Sequence, residues 1–168
     1  MHFEISHEFD IPLDALELAV ISPNLCSKLA NRLQNLESVQ QKEHTLKDGR
    51  LERVWACRAN VRLPAFARQY IKPEMMAWDE RSTYDIKKHA SEWTIAPHVK
   101  PEWRKYFVAS GTYTLTTLAS GRTRRTVNGS IELRVPVVRQ VAEKLIVGEV
   151  RRTFDAEAET LRDLATLV

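Results

Sequence analysis

Residues 122–168 read RTRRTVNGSIELRVPVVRQVAEKLIVGEVRRTFDAEAETLRDLATLV, and this stretch decides the fold. Up to Val135 apolar and polar residues alternate, with Val127, Gly129, Ile131, Leu133 and Val135 on one side. A period of two is that of a half-buried strand. Asn128-Gly129 reads as a bend within it, since glycine inside a strand often marks a kink or bulge. Pro136 ends the strand. Apolar residues then recur at Val147, Val150, Phe154, Ala158, Leu161, Ala165 and Val168, in steps of three and four. That spacing lays one stripe along an amphipathic helix. A helix over 136–168 spans on the order of 48 Å at ~1.5 Å per residue. Only a broad sheet can bury such a stripe, and a curved sheet closed by one long helix encloses a space.

The remainder supplies that sheet. Residues 2–10 alternate, with Phe3, Ile5, His7 and Phe9 on the apolar side. Pro12 opens a short helix over 13–21, and Ser22-Pro23 starts a second over 24–33, proline being suited to a first helical turn. A strand over 36–46 turns at Asp48-Gly49, which supplies the positive backbone angles of a tight hairpin. It returns over 51–63 with Trp55, Cys57, Ala59, Val61 and Leu63 on one face and Arg58 on the other. One or two helical turns fit 65–71. Further strands are expected over 75–84, 91–97 and 103–118, the last rich in threonine. The order is strand, two short helices, an antiparallel meander and a long helix, an α+β fold in one domain, residues 1–168.

Composition narrows the function classes. Of the 168 residues 43% are hydrophobic and 28% charged, the balance of a globular chain rather than a disordered one. No apolar run approaches the ~18 residues that span a bilayer. The start, Met1-His2-Phe3-Glu4-Ile5, lacks a basic region followed by an apolar core, so a secretory leader is not expected. Cys26 and Cys57 read as free buried thiols of a reducing compartment. A cytoplasmic location is the expectation. The net charge is +3, and residues 120–152 concentrate Arg122, Arg124, Arg125, Arg134, Arg139, Lys144, Arg151 and Arg152. These form either solvated faces or a surface for transient contact with an anionic membrane. Nucleic acid is not an expected partner, because aromatic and basic residues do not interleave.

Phosphate-cradling loops, dinucleotide fingerprints and Gly-x-Ser-x-Gly elbows are absent. The histidines His2, His7, His44, His89 and His98 lack metal-ligand spacing, so neither metal nor cofactor is expected. His7, on an apolar face, is either a satisfied core histidine or a polar anchor in a pocket.

Several segments carry a family likeness: Trp93-Thr94-Ile95, Gly111-Thr112-Tyr113-Thr114-Leu115, Gly121 through Gly129, and Val135-Pro136-Val137-Val138 leading to Glu143. On these the chain resembles the START-like superfamily of lipid-transfer domains, polyketide cyclases and birch-pollen-allergen-like proteins. More closely it resembles a branch known as a domain of unknown function. The resemblance implies the helix-grip fold over essentially the whole chain. It implies binding of a hydrophobic small molecule or lipid in a cavity between sheet and C-terminal helix. The expected lining is Phe3, Ile5, His7, Phe9, Trp55, Trp93, Tyr113, Leu115, Ile131 and Leu133 on the sheet. The helix adds Val147, Val150, Phe154 and Leu161. Two alternatives stay open. One is a cyclase or dehydratase with His7, Tyr84 or Tyr113 as acid–base group. The other is a ligand-free interaction module.

Overall fold

The structure is a computed structural model that describes residues 1–60, 65–68, 71, 73–134 and 139–167. Strand β1 (His2–Phe9) leads into helices α1 (Leu13–Ile21) and α2 (Leu25–Ala30). Then come β2 (Leu36–Lys47), β3 (Arg50–Ala59), a helical turn α3 (Ala65–Arg68), β4 (Ala77–Asp85) and β5 (Ala90–Pro97). β6 (Phe107–Thr117), β7 (Thr123–Leu133) and α4 (Arg139–Ala165) complete the order. The strands form one antiparallel sheet in the order β1-β7-β6-β5-β4-β3-β2. The meander accounts for every neighbour except β1, which pairs with β7. The two short helices therefore carry the chain from one edge of the sheet to the other.

The turns follow from their residues. Asp48 and Gly49 both take positive φ, 52° and 78°, which two-residue hairpins of this hand require. Between β4 and β5 the Asp85 carboxylate accepts from the amides of Lys87 and Lys88 at 3.0 and 3.2 Å.

Several expected boundaries move. The strand foreseen from residue 103 begins at Phe107, because Pro101–Tyr106 forms a 3-10 turn. Proline has no amide to give a ladder and suits the start of a helical turn. For the same reason Pro73–Met76 is helical and β4 begins at Ala77. β3 ends at Ala59. Val61 and Leu63, the expected continuation, lie outside the described residues, as do 69–70, Pro136 to Val138 and Val168. No bulge interrupts Asn128-Gly129. Pairing with β1 and with β6 stays in register through both residues.

The core lies between the sheet and the layer of α1, α2 and α4. α4 packs on α1, α2, β1 and β7. Its stripe is covered unevenly. Ala158, Leu161, Leu164 and Ala165 are buried, whereas Ile146, Val147, Val150 and Phe154 are only half-covered. Half-burial recurs on the inner face of the sheet, at Trp78 and Ile95.

Candidate ligand site between the sheet and the last helix

The cross-strand register decides which side chains share the inner face. Phe3 pairs with Gly129, Ile5 with Val127, and His7 with Arg125. Gly111 also pairs with Gly129, and Trp93 with Gly111. Two glycines side by side leave a furrow in the sheet. A methyl group at Gly111 would lie 2.5 Å from Cζ2 of Trp93, and one at Gly129 2.3 Å from Cζ of Phe3. Two aromatic rings thus occupy the space two side chains would have filled. Trp93 stacks on Phe3 with ring centroids 6.3 Å apart, and it meets Phe154 of α4 at the same spacing. Of the expected lining, Phe3, Trp93 and Phe154 therefore come together as one aromatic cluster. Phe9, Leu115 and Ile131 are fully enclosed, and Leu133 is half-buried.

Beside that cluster sits an arginine that the basic-surface reading placed in solvent. Arg125 follows the alternation of Val127 and Ile131 inward and is 1% exposed. Its Nη1 donates to Glu157 Oε2 at 2.7 Å. Its Nη2 donates to the carbonyl of Phe154 at 2.7 Å and to His7 Nδ1 at 3.3 Å. A guanidinium only donates, so Nδ1 of His7 is the acceptor and Nε2 carries the proton. Nε2–H then donates to Asp155 Oδ1 at 2.8 Å. Both ring nitrogens of His7 are engaged in fastening β1 and β7 to α4.

This network makes His7 a pH-dependent contact. Burial holds its imidazole below the ordinary value; the Asp155 hydrogen bond opposes that and the Arg125 charge adds to it. Below about pH 6.5 the unfolded chain therefore binds more protons than the native state. The stabilising contribution is full above that pH and is lost as the pH falls toward the folded value. Thermal melts between about pH 7.5 and about pH 5 should show Tm declining, and His7→Gln should flatten this part of the profile. An unaltered slope in His7→Gln would assign the dependence to other groups.

A second buried arginine, Arg53, is in phase with Leu51, Trp55 and Cys57, which the sequence placed inward. It donates from Nη1 to the Val20 carbonyl at 3.1 Å and from Nε to Ser82 Oγ at 3.3 Å. Its guanidinium also lies 4.8 Å over the Trp55 ring. Arg58 is exposed, as expected from that phase. Nearby the Tyr84 hydroxyl donates to Glu17 Oε1 at 2.6 Å, and the same oxygen lies 2.8 Å from His89 Nδ1. Burial pushes the phenols of Tyr84 and Tyr113 well above the usual range. Both are fixed as neutral groups.

Glu80 was not foreseen. It shares the inner face with Trp55 of β3 and Ile95 of β5, its direct cross-strand partners. It forms no hydrogen bond or ion pair among the described residues, yet keeps some accessible surface. Burial raises its carboxyl to about 7; the charge of Glu157 adds to this and that of Arg53 opposes it. The indole N–H groups of Trp55 and Trp93 are buried and unpartnered as well. A groove of about 520 Å³ lies beside the same stretch of α4, lined by Leu33, Asn35, Asn60, Glu149, Arg152 and Ala156 among others.

Cys26 and Cys57 are free and buried. Burial pushes the Cys26 thiol up to about 11 and that of Cys57 higher, so neither is a nucleophile. Among the described residues no group of acidic, histidine and cysteine side chains is placed to hold a metal ion. No helix among them is long and apolar enough to cross a membrane.

The arrangement of an antiparallel sheet under a long helix is shared with known proteins. A family model described as a protein of unknown function, DUF2505, matches residues 4–164. The chain belongs to this family. No curated protein matches it significantly. Among solved structures, the Zhui aromatase/cyclase of a Streptomyces species superposes with a TM-score of 0.65 at 15% identity, over 99% of this chain and 93% of that one. The Thermus thermophilus protein TTHA0849 gives 0.64 at 14% identity, over 99% and 98%. Norcoclaurine synthase from Thalictrum flavum gives 0.62 at 12% identity, over 95% and 84%. At these identities the likeness shows the fold. That fold is the START-like helix grip.

Proposed function

We propose that this DUF2505 protein binds a hydrophobic small molecule or lipid between the inner face of its sheet and α4. The uneven cover of one apolar stripe carries the reading. Over Ala158 to Ala165 the stripe is buried in the core. Over Ile146 to Phe154 the same stripe is half-covered, and Trp78 and Ile95 on the sheet are half-covered too. Apolar side chains that face inward and still keep accessible surface line a space, and such spaces take ligands.

An environment-sensitive dye such as 1-anilinonaphthalene-8-sulfonate should brighten with the native protein, and an added fatty acid should displace it. Ala59→Phe, which adds a ring to the inner end of β3, should weaken dye and fatty acid together while the fold persists. Native mass spectrometry of freshly purified protein should show the retained species. A protein that takes up neither dye nor lipid would leave the interaction-module reading in its place.

A second reading, an acid–base enzyme on the same pocket, has one specific observation behind it. The Glu80 carboxyl lies at about 7, near the operating pH that general acid–base catalysis favours. Glu80 suits that role better than the three groups expected from sequence. His7 has both nitrogens engaged, and Tyr84 and Tyr113 hold their protons.

Contact with an anionic membrane through residues 120–152 draws less support. Arg122 and Arg124 meet Glu8, Arg125 meets Glu157, Arg134 meets Glu132, Arg139 meets Glu143 and Arg152 meets Glu149. Paired guanidiniums attract phosphate weakly.

A further inference from the structure

Among the described residues, every buried or half-buried charge of the inner face has a partner except one. Arg125 is engaged by Glu157 and the Phe154 carbonyl. Arg53 is engaged by the Val20 carbonyl and Ser82. Glu17 accepts from Tyr84 and lies beside His89. Glu80 alone, among the described residues, makes no hydrogen bond or ion pair, and it keeps accessible surface on the inner face. Charge on an apolar inner face is costly unless it is solvated or paired, so this accessible carboxylate is open to a donor from water or from a ligand. Aromatic and aliphatic surface surrounds it: Trp55 and Ile95 directly across the strands, and Trp78 two residues away on the same face.

Resting on the ligand-binding reading above, the geometry points to a hydrophobic amine as the ligand class. Its ammonium N–H donates to the Glu80 carboxylate, and its apolar body lies against Trp55, Trp78 and Ile95. An ionised carboxylate is an acceptor only, so its complement is a donor. A cationic donor gains further from the indole faces beside it. An anionic headgroup is disfavoured, because the two interior guanidiniums are already engaged and Glu80 would repel it.

The charges facing Glu80 set the pH behaviour. They are Arg53 and the neutral thiol Cys57 on β3, Cys26 on α2, and Glu157 on α4. Glu157 is itself bound to Arg125. With the Glu80 carboxyl at about 7, protonated and ionised forms coexist at neutral pH. A bound cation draws Glu80 to the ionised form and releases a proton. Amine affinity therefore rises with pH through 7 until the amine itself loses its charge.

Two probes with one ring system separate the terms: 1-naphthylmethylamine, a cation, and 1-naphthalenemethanol, its neutral counterpart. Calorimetric titration at about pH 8 should show the amine binding on the order of ten-fold tighter than the alcohol. That advantage should shrink at about pH 6. In Glu80→Gln the advantage and its pH dependence should vanish while the alcohol binds as before. Titration of the wild type in two buffers of different ionisation enthalpy should reveal proton release with the amine and none with the alcohol. This readout does not depend on how the variant folds. If the alcohol binds and the amine shows no advantage and no proton release, or keeps its advantage in Glu80→Gln, the amine class is wrong and the ligand-binding reading stands. If neither probe binds, both fall.

Discussion

Arg125→Ala is expected to destabilise the protein by about 3–5 kcal/mol, the range for removing one partner of a buried ion pair. The guanidinium is 1% exposed and Glu157, its partner, 14%. Alanine leaves that carboxylate, the Phe154 carbonyl and His7 Nδ1 without their donor at once. Those three acceptors belong to α4 and β1, so the loss loosens the helix from the sheet edge. Arg125→Lys should recover only part of the stability, because one ammonium cannot reproduce the fork that reaches Glu157 with one nitrogen and Phe154 with the other. Arg125→Met tests a different term. It fills a similar volume, and paired with Glu157→Leu it replaces the ion pair by apolar contact, an exchange that is often close to neutral. Urea unfolding of the four variants gives the comparison. Arg125→Ala within about 1 kcal/mol of wild type would mean that the guanidinium is solvated and the clamp is not formed.

Arg125 shows where sequence reading succeeds and where it stops. Its phase was legible: it alternates with Val127 and Ile131, and the same pattern placed the strand. Its environment was not, because a charged side chain is ordinarily a sign of exposure and the groups that satisfy it lie about thirty residues away on another element. Arg53 repeats the case, in phase with Leu51 and Trp55 but satisfied by a carbonyl of α1. The signal available in both was an arginine on the apolar side of a strand. Glu80 gave none. The run Trp78-Asp79-Glu80-Arg81-Ser82-Thr83 has no apolar alternation from which an inner face can be read. Its position follows only from cross-strand register with Trp55 and Ile95. The architecture was legible because period two and period 3.6 are distinct signals and the meander turns carry Asp-Gly and similar residues. The boundaries at Pro73 and Pro101 were missed because Met75 and Met76 in one short helical turn, and Trp103 and Tyr106 in the other, look like the start of a strand.

The bend expected at Gly129 points to the second large effect. Both neighbouring ladders stay in register through it, and the rings above the sheet leave no room for a side chain there. A Cβ at Gly129 would stand 2.3 and 2.6 Å from Phe3 ring carbons and 2.8 Å from Trp93 Cζ2. At Gly111 it would stand 2.1 Å from the Asn128 carbonyl oxygen as well as 2.5 and 2.7 Å from Trp93. Real Cβ contacts do not approach so closely, so the rings or the strand must move. Gly129→Ala is expected to cost about 1–3 kcal/mol, the range for overpacking where side chains can shift. Gly111→Ala should cost more, because a backbone carbonyl cannot rotate away as a ring can. Gly148 is the control: it lies within α4 with nothing near its would-be Cβ. There alanine should stabilise by about 0.4–1 kcal/mol through helix propensity and a less flexible unfolded chain. Phe3→Leu should partly rescue Gly129→Ala and relieve Gly111→Ala less, since Phe3 supplies the nearest contacts at the first site and the Asn128 carbonyl the nearest at the second. Equal rescue of both, measured as a double-mutant cycle in urea, would show that the furrow is one deformable pocket and that Gly111 is not pinned by the backbone. The furrow also reaches the proposed ligand site. Displacing Trp93 from its glycine bed moves the ring that meets Phe154, so Gly111→Ala should weaken dye binding beyond what its loss of folded population explains.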